Sequence, residues 1–75
     1  MPKLPRVTPK KVLAALQRTG FYINRQTGSH INLRHNTKTH LHVVIPMHDN
    51  DLAPKTLKSI ISQLEITLEE FLKIL

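Results

Sequence analysis

The stretch that decides the fold is FYINRQTGSHINLR, residues 21 to 34. Apolar and polar residues alternate on both sides of its central glycine, which is the period of half-buried β-strands. The apolar positions are Phe21 and Ile23 before the glycine, and Ile31 and Leu33 after it. On the first strand, Tyr22 and Asn24 take the polar positions. The pattern predicts a two-stranded hairpin that turns at Thr27-Gly28.

The polar face of the second strand carries the residue most suited to catalysis. Counting by twos along the strand places His30, Asn32 and Arg34 opposite the apolar residues and therefore in water. Histidine is the side chain that most readily accepts and donates protons near neutral pH. A histidine on a strand is most often only a solvated polar residue, but His30 follows Gly28 and Ser29 directly and has cations nearby in sequence. We therefore take His30 as the candidate catalytic residue.

Helical signals flank the hairpin. Thr8 followed by Pro9 is a helix start, and apolar residues recur at helical spacing until Gly20, which predicts a helix over about 9 to 19. Pro54 opens a second helix with an apolar stripe of Leu57, Ile60, Ile61 and Leu64. Thr67 and Glu70 have the spacing of a capping box, which predicts a short helix containing Phe71 and Leu72.

A third strand follows a turn at residues 36 to 38. Thr39, Leu41, Val43 and Ile45 alternate with His40, His42 and Val44, and Pro46 ends the run. The economical arrangement is an α+β fold in which a three-stranded antiparallel sheet carries helices on one face only. Because the chain has 75 residues, we expect residues 1 to 75 to form a single domain.

Charge is distributed unevenly along the chain. Residues 1 to 48 contain eight Lys or Arg and no Asp or Glu, whereas residues 49 to 75 contain three Lys and five acidic residues. This asymmetry favours a polyanionic partner, either nucleic acid or an acidic protein. The candidate phosphate contacts are Lys10, Lys11, Arg18, Arg25, Ser29, Arg34, Lys55 and Lys58. Lys55 and Lys58 have the strongest case, because the first turns of a helix also attract anions.

Several classes of protein are disfavoured. The chain has no cysteine and therefore no disulfide framework, which fits a reducing compartment. Residues 1 to 6 lack the apolar core of a signal peptide, and no apolar run approaches the roughly 20 residues of a membrane helix. We expect a cytoplasmic protein without a membrane partner.

A metal site is a weaker alternative. His40 and His42 share a predicted strand and would have to join His30 across the sheet to bind an ion. No cysteine or adjacent carboxylate completes the set, since Asp49 and Asp51 fall in a loop. We predict no metal and no cofactor.

The motifs together resemble the HicA (YcfA-like) family of toxin–antitoxin mRNA interferases over nearly the whole chain. The most specific match combines Gly28-Ser29-His30 with the segment from Pro54 to Ile61. The further matches are Lys3-Leu4-Pro5-Arg6, Gly20-Phe21, Arg25-Gln26-Thr27, Ile45-Pro46 with His48, and Leu68-Glu69-Glu70-Phe71.

The resemblance implies a fold, an activity and a partner. It implies an α-β-β-β-α fold similar to a double-stranded RNA-binding domain, with the short C-terminal helix added here. It also implies a metal-independent endoribonuclease that cleaves mRNA and is neutralised by a HicB-type antitoxin. The histidine of the family's Gly-Ser-His motif is catalytic, which corresponds to His30. The family usually has glycine where this chain has Lys55 and Glu65, and we expect Glu65 to remove the left-handed cap of the second helix.

The chemistry leaves some roles open. RNA carries its own nucleophile, the 2′-OH, so cleavage requires proton transfer and stabilisation of charge on the phosphate. His30 would act as general base or acid, and Arg25, Arg34 or a lysine would stabilise the phosphate. The candidates for a second acid–base group are His42, His40 and Tyr22.

Two other functions remain possible from the residues. In the first, the protein is a non-catalytic RNA-binding module of the double-stranded RNA-binding type, and His30 only contacts the RNA. In the second, the basic surface serves only to bind an acidic protein.

Overall fold

The structure is a computed structural model and describes residues 3 to 75; Met1 and Pro2, at the start of the segment tested above for a signal peptide, lie outside the described residues. The elements in chain order are α1 Pro9–Arg18, β1 Phe21–Thr27, β2 His30–His35, β3 His42–Pro46, α2 Pro54–Leu64 and α3 Leu68–Ile74. The predicted α+β fold and its element order are confirmed.

The helices begin where capping chemistry places them. The Thr8 side chain accepts a hydrogen bond from the backbone N–H of Lys11 at 3.3 Å, and Pro9 occupies the first turn of α1. Pro54 opens α2, where the N-cap residue Ala53 offers no side-chain acceptor. At α3, Thr67 and Glu70 form the predicted capping box.

The three strands form one antiparallel sheet in the order β1-β2-β3. Its inner face carries the buried side chains of Ile31, Leu33, Val43 and Ile45, which pack with apolar residues of all three helices. The helices therefore cover one face of the sheet, as predicted. Ile23 lies on the same face as its partner Leu33 but remains 44 % exposed, because β1 is an edge strand in which only Phe21 is buried.

The third strand is shorter than the sequence pattern predicts. It begins at His42 and not at Thr39, because the last pair in the β2–β3 ladder joins Arg34 to His42. The residues before it form a turn in which the N–H of Leu41 donates to the carbonyl of Lys38 at 3.0 Å. Leu41 is nevertheless buried. The alternation therefore correctly grouped Leu41 with the apolar residues of the core, although it lies outside the strand.

The end of α2 also differs from the expectation. Glu65 is the C-cap residue and adopts the left-handed conformation, with φ 58° and ψ 39°, although glycine was expected to be needed there. The chain must reverse between α2 and α3 so that Leu64 and Phe71 both reach the core. Tertiary packing thus imposes a left-handed conformation that costs a residue with a side chain roughly 1–2 kcal/mol.

His35 ties the end of the hairpin to its surroundings. Its Nδ1 accepts hydrogen bonds from the N–H groups of Thr37 and Lys38, so Nε2 carries the proton and donates to the Thr19 carbonyl at 2.9 Å. A Cβ on Gly20 would lie 2.8 Å from His35 Nε2, so the glycine permits this approach. These contacts hold the exit of α1 against the end of β2.

No helix within residues 3 to 75 is both long and apolar enough to cross a membrane.

Candidate functional site

The face of the sheet that the helices leave open presents an ordered array of side chains. Cross-strand pairing sorts them into three rows. The first row is Thr27, His30 and Pro46, the second is Arg25, Asn32 and Val44, and the third is Tyr22, Arg34 and His42. We call this surface the outer face. It contains no acidic side chain, which makes it suitable for a phosphate-bearing ligand.

His30 lies at the tip of the hairpin. Gly28 occupies the first central position of a two-residue turn with φ 57°, a conformation that favours glycine and is required there in type II′ turns. The carbonyl of Ser29 accepts a short hydrogen bond of 2.6 Å from the N–H of Met47, which follows β3. The turn is therefore attached to the sheet on both sides, and it presents an exposed His30 from a stiff support.

An open groove runs between His30 and helix α2. Its volume of about 460 Å³ lies within the range typical of small-ligand sites. On the sheet side it is lined by His30, Val44 and Pro46, and on the helix side by Lys55, Thr56, Ser59, Ile60 and Gln63. The groove brings His30 and Lys55, which are 25 positions apart in the chain, to one site.

Gln63 fixes the helix against the free edge of the sheet. Its Oε1 accepts a hydrogen bond of 3.0 Å from the backbone N–H of Val44. This bond satisfies a donor on edge strand β3 and sets the width of the groove at one end. The sequence reasoning missed Ser59 and Gln63, although both follow Lys55 at intervals of four residues and so share one side of a helix.

A β-bulge decides where Arg25 points. The pairing shifts between Ile23 and Arg25, so that Asn24 is an extra residue without a partner in the ladder. Simple alternation from Phe21 and Ile23 would turn Arg25 to the inner face, but the bulge places Arg25 opposite Asn32 on the outer face. Diagonal neighbours on a sheet lie about 7–8 Å apart, which places the Arg25 side chain within reach of His30.

The remaining predicted cations are distributed over several surfaces. Arg34 lies on the outer face in the third row, two rows from His30. Lys10 and Lys11 belong to α1, which packs on the inner face, and the structure does not bring them to the groove. Lys58 lies on the flank of α2 away from Thr56 and Gln63, because 100° per residue separates it from both by about 140–160°. Arg18 donates to the carbonyl of Ile74 at 3.0 Å and so tethers α3.

The other histidines do not converge on His30. His42 donates from Nε2 to Asn32 Oδ1 at 3.0 Å, and His40 lies 3.4 Å from the Glu65 carboxylate at a different site. Within the part of the chain from Lys3 onward, no three His, Cys, Asp or Glu side chains are grouped as metal ligands would be. Of the three candidates for a second acid–base group, His42 and Tyr22 lie in the third row, roughly 13 Å from His30 at the usual rise per residue.

Comparison with known proteins agrees with this architecture. The model of the HicA toxin family of bacterial toxin–antitoxin systems matches residues 9 to 66, which include the hairpin, the groove and α2. The chain therefore belongs to the HicA toxin family. A search of curated proteins finds no match.

Proposed function

We propose that this toxin is an endoribonuclease that cleaves mRNA without a metal ion, with His30 as the proton-transfer residue. The observation that carries the proposal is the position of an exposed histidine in an open groove that Lys55 also lines, with Arg25 in the next row of the outer face. Such a set supplies one acid–base group and two cations to a single phosphate. These groups supply one of the two proton transfers and the charge stabilisation that cleavage by the neighbouring 2′-OH requires.

The reaction follows from the position of these groups. The 2′-oxygen loses its proton and attacks the adjacent phosphorus, and the bond to the 5′-oxygen of the next nucleotide breaks as that oxygen gains a proton. The products are a 2′,3′-cyclic phosphate and a free 5′-hydroxyl. His30 transfers one of these two protons and solvent water exchanges the other, while Arg25 and Lys55 stabilise negative charge on the phosphate oxygens.

Two features of the groove support an anionic ligand. Its lining residues include no carboxylate. In addition, Lys55 lies in the first turn of α2, where backbone N–H groups and the helix dipole favour a phosphate. Since the same surface is the most cationic part of the sheet, we propose that a HicB-type antitoxin neutralises the toxin by covering His30 and the adjacent cations.

The test is cleavage of a defined RNA by purified parent and His30→Ala proteins in a buffer containing EDTA. We expect the variant to lose at least about 10²-fold in rate, which is the usual contribution of one general acid–base residue, while retaining RNA binding and the fold. A single 2′-deoxy substitution at the cleaved nucleotide should block cutting by the parent. His40→Ala is the matched control, because His40 is an exposed histidine remote from the groove, and it should cleave like the parent.

Other outcomes would contradict the proposal. A His30→Ala protein that cleaves and inhibits growth like the parent would exclude His30 as the acid–base residue. A parent protein that binds RNA but never cleaves it would favour the non-catalytic RNA-binding module. Loss of cleavage in EDTA that is restored by zinc or magnesium would instead indicate a metal-dependent nuclease.

A further inference from the structure

The third row of the outer face contains an exposed aromatic ring that the cleavage reaction does not use. Tyr22 is 45 % exposed and pairs across the ladder with Arg34, which in turn pairs with His42. Within residues 3 to 75, Tyr22 and Ile23 are the exposed large hydrophobic side chains, whereas the others are buried or partly buried. An aromatic ring kept in water on the same face as His30 is a candidate ligand contact.

The row has the chemistry of a stacking platform. Tyrosine, arginine and histidine side chains all end in a planar group, and bases of single-stranded RNA stack on aromatic rings and on guanidinium planes. The hydrogen bond from His42 Nε2 to Asn32 Oδ1 restrains the imidazole at one end of the row. Tyr22 and Arg34 occupy directly opposed positions on neighbouring strands, so their side chains lie about 5 Å apart at Cβ.

The surface between this row and the groove is also suited to RNA. The second row separates them and places Arg25 and Asn32 along the path. An RNA strand that follows β2 from His30 would meet a cation, then the aromatic row, and no carboxylate. The continuity with the groove and the charge favour single-stranded RNA over an acidic protein as the occupant.

We infer that Tyr22, with Arg34 and His42, forms a second subsite that stacks a base of single-stranded RNA roughly 13 Å from His30. This inference rests on the proposed function, since it assigns the place of the substrate beyond the scissile phosphate. Tyr22 contributes its ring and not its hydroxyl, so it has a binding role and no part in proton transfer.

The experiment measures RNA binding in the His30→Ala background, where turnover does not interfere. Tyr22→Leu should weaken affinity for a single-stranded RNA by at least about fivefold, and Tyr22→Phe should bind like the parent, because stacking needs only the ring. Ile23→Thr is the matched control, since Ile23 is the adjacent residue, is exposed to 44 %, and lies on the opposite face. It should leave affinity unchanged.

A second set of RNAs locates the stacked base. An abasic nucleotide is placed at each position in turn on both sides of the cleavage site. One position should cost the His30→Ala protein about as much affinity as Tyr22→Leu does in that background. At that position, Tyr22→Leu and the abasic RNA together should cost no more than either alone. The abasic scan by itself, measured with the His30→Ala protein, does not depend on the folding of any Tyr22 variant.

Three results would overturn the subsite. The first is an unchanged RNA affinity in Tyr22→Leu. The second is equal tolerance of abasic nucleotides at every position of the RNA. The third is a Tyr22→Leu protein that loses antitoxin binding but keeps RNA binding. If the His30→Ala protein shows the expected stacking but the parent does not cleave RNA, the subsite stands and the proposed catalytic function fails.

Discussion

At the scale of single residues, Glu65 shows a side chain held in a conformation that it disfavours. Its φ of 58° lies in the left-handed region, where a Cβ crowds the backbone and glycine does not. Its exposed carboxylate lies 3.4 Å from His40, and a pair so accessible to water contributes little to stability. The backbone conformation therefore dominates the energetics of this position.

Glu65→Gly should stabilise the protein. Relief of the left-handed strain is partly offset by the greater flexibility of glycine in the unfolded chain, which leaves a net gain of about 0.5–1 kcal/mol. Denaturant unfolding measures the change. Glu69→Gly, which replaces an exposed glutamate inside α3, should destabilise and serves as the control. A Glu65→Gly protein no more stable than the parent would show that the strain is absent.

At the scale of secondary-structure elements, α3 depends on its capping box. It has seven residues, too few for a stable helix without tertiary contacts and capping. The Thr67 side chain accepts from the N–H of Glu70 at 3.1 Å, and the Glu70 carboxylate accepts from the N–H of Thr67 at 2.9 Å. The hydrogen bond from the Thr67 backbone, followed by that from its side chain, lowers the pKa of Glu70 below its ordinary value.

Because its pKa is lowered, Glu70 contributes to the free energy of unfolding in a way that depends on pH. A carboxylate that is more acidic when folded stabilises the protein above its unfolded pKa, and this stabilisation is lost as pH falls through the lower, folded pKa. The stability difference between parent and Glu70→Ala should therefore be present at neutral pH and disappear in acid. Unfolding at a series of pH values measures it, with Glu69→Ala as the control. A difference that persists or grows in acid would rule out the capping carboxylate as its source.

At the scale of the whole molecule, the acidic residues are confined to the elements and loops that follow the sheet. The residues up to 48, with eight cations and no acidic residue, form α1 and the entire sheet, including the outer face. The acidic residues lie in the loop before α2, at Glu65 and in α3. The outer face that bears His30 therefore belongs to the part of the chain that has cations and no acidic residue.

This charge distribution predicts a salt dependence that distinguishes two lysines of the same helix. RNA affinity should fall steeply with salt, with a log–log slope of roughly −0.7 for each phosphate neutralised on a single strand. Lys55→Ala should weaken binding across sequences and reduce the slope by about 0.7, because Lys55 lines the groove. Lys58→Ala, on the other flank of α2, should change neither quantity. Equal effects of the two substitutions would mean that the groove does not hold the phosphate.

The sequence by itself determined the elements, their order and the exposure of His30. Each of these depends on local information: apolar periodicity, proline and threonine at helix starts, and glycine at turns. The strand parity that directs His30 away from Leu33 is a property of any pleated strand. These features were predicted correctly because no distant residue has to be known to state them.

Only the tertiary structure decided which residues accompany His30. The two-residue turn at Gly28 sets the pairing of β1 with β2 near the tip of the hairpin. The burial of Phe21 and Leu33 sets the pairing at the other end of the hairpin. The two registers differ by one residue. The bulge at Asn24 absorbs this difference and turns Arg25 outward, a result that simple alternation misses. Lys55 lines the same groove as His30, and Glu65 adopts its left-handed conformation, because helix packing against the sheet sets both positions. Such packing joins residues far apart in the chain, and no local pattern encodes it.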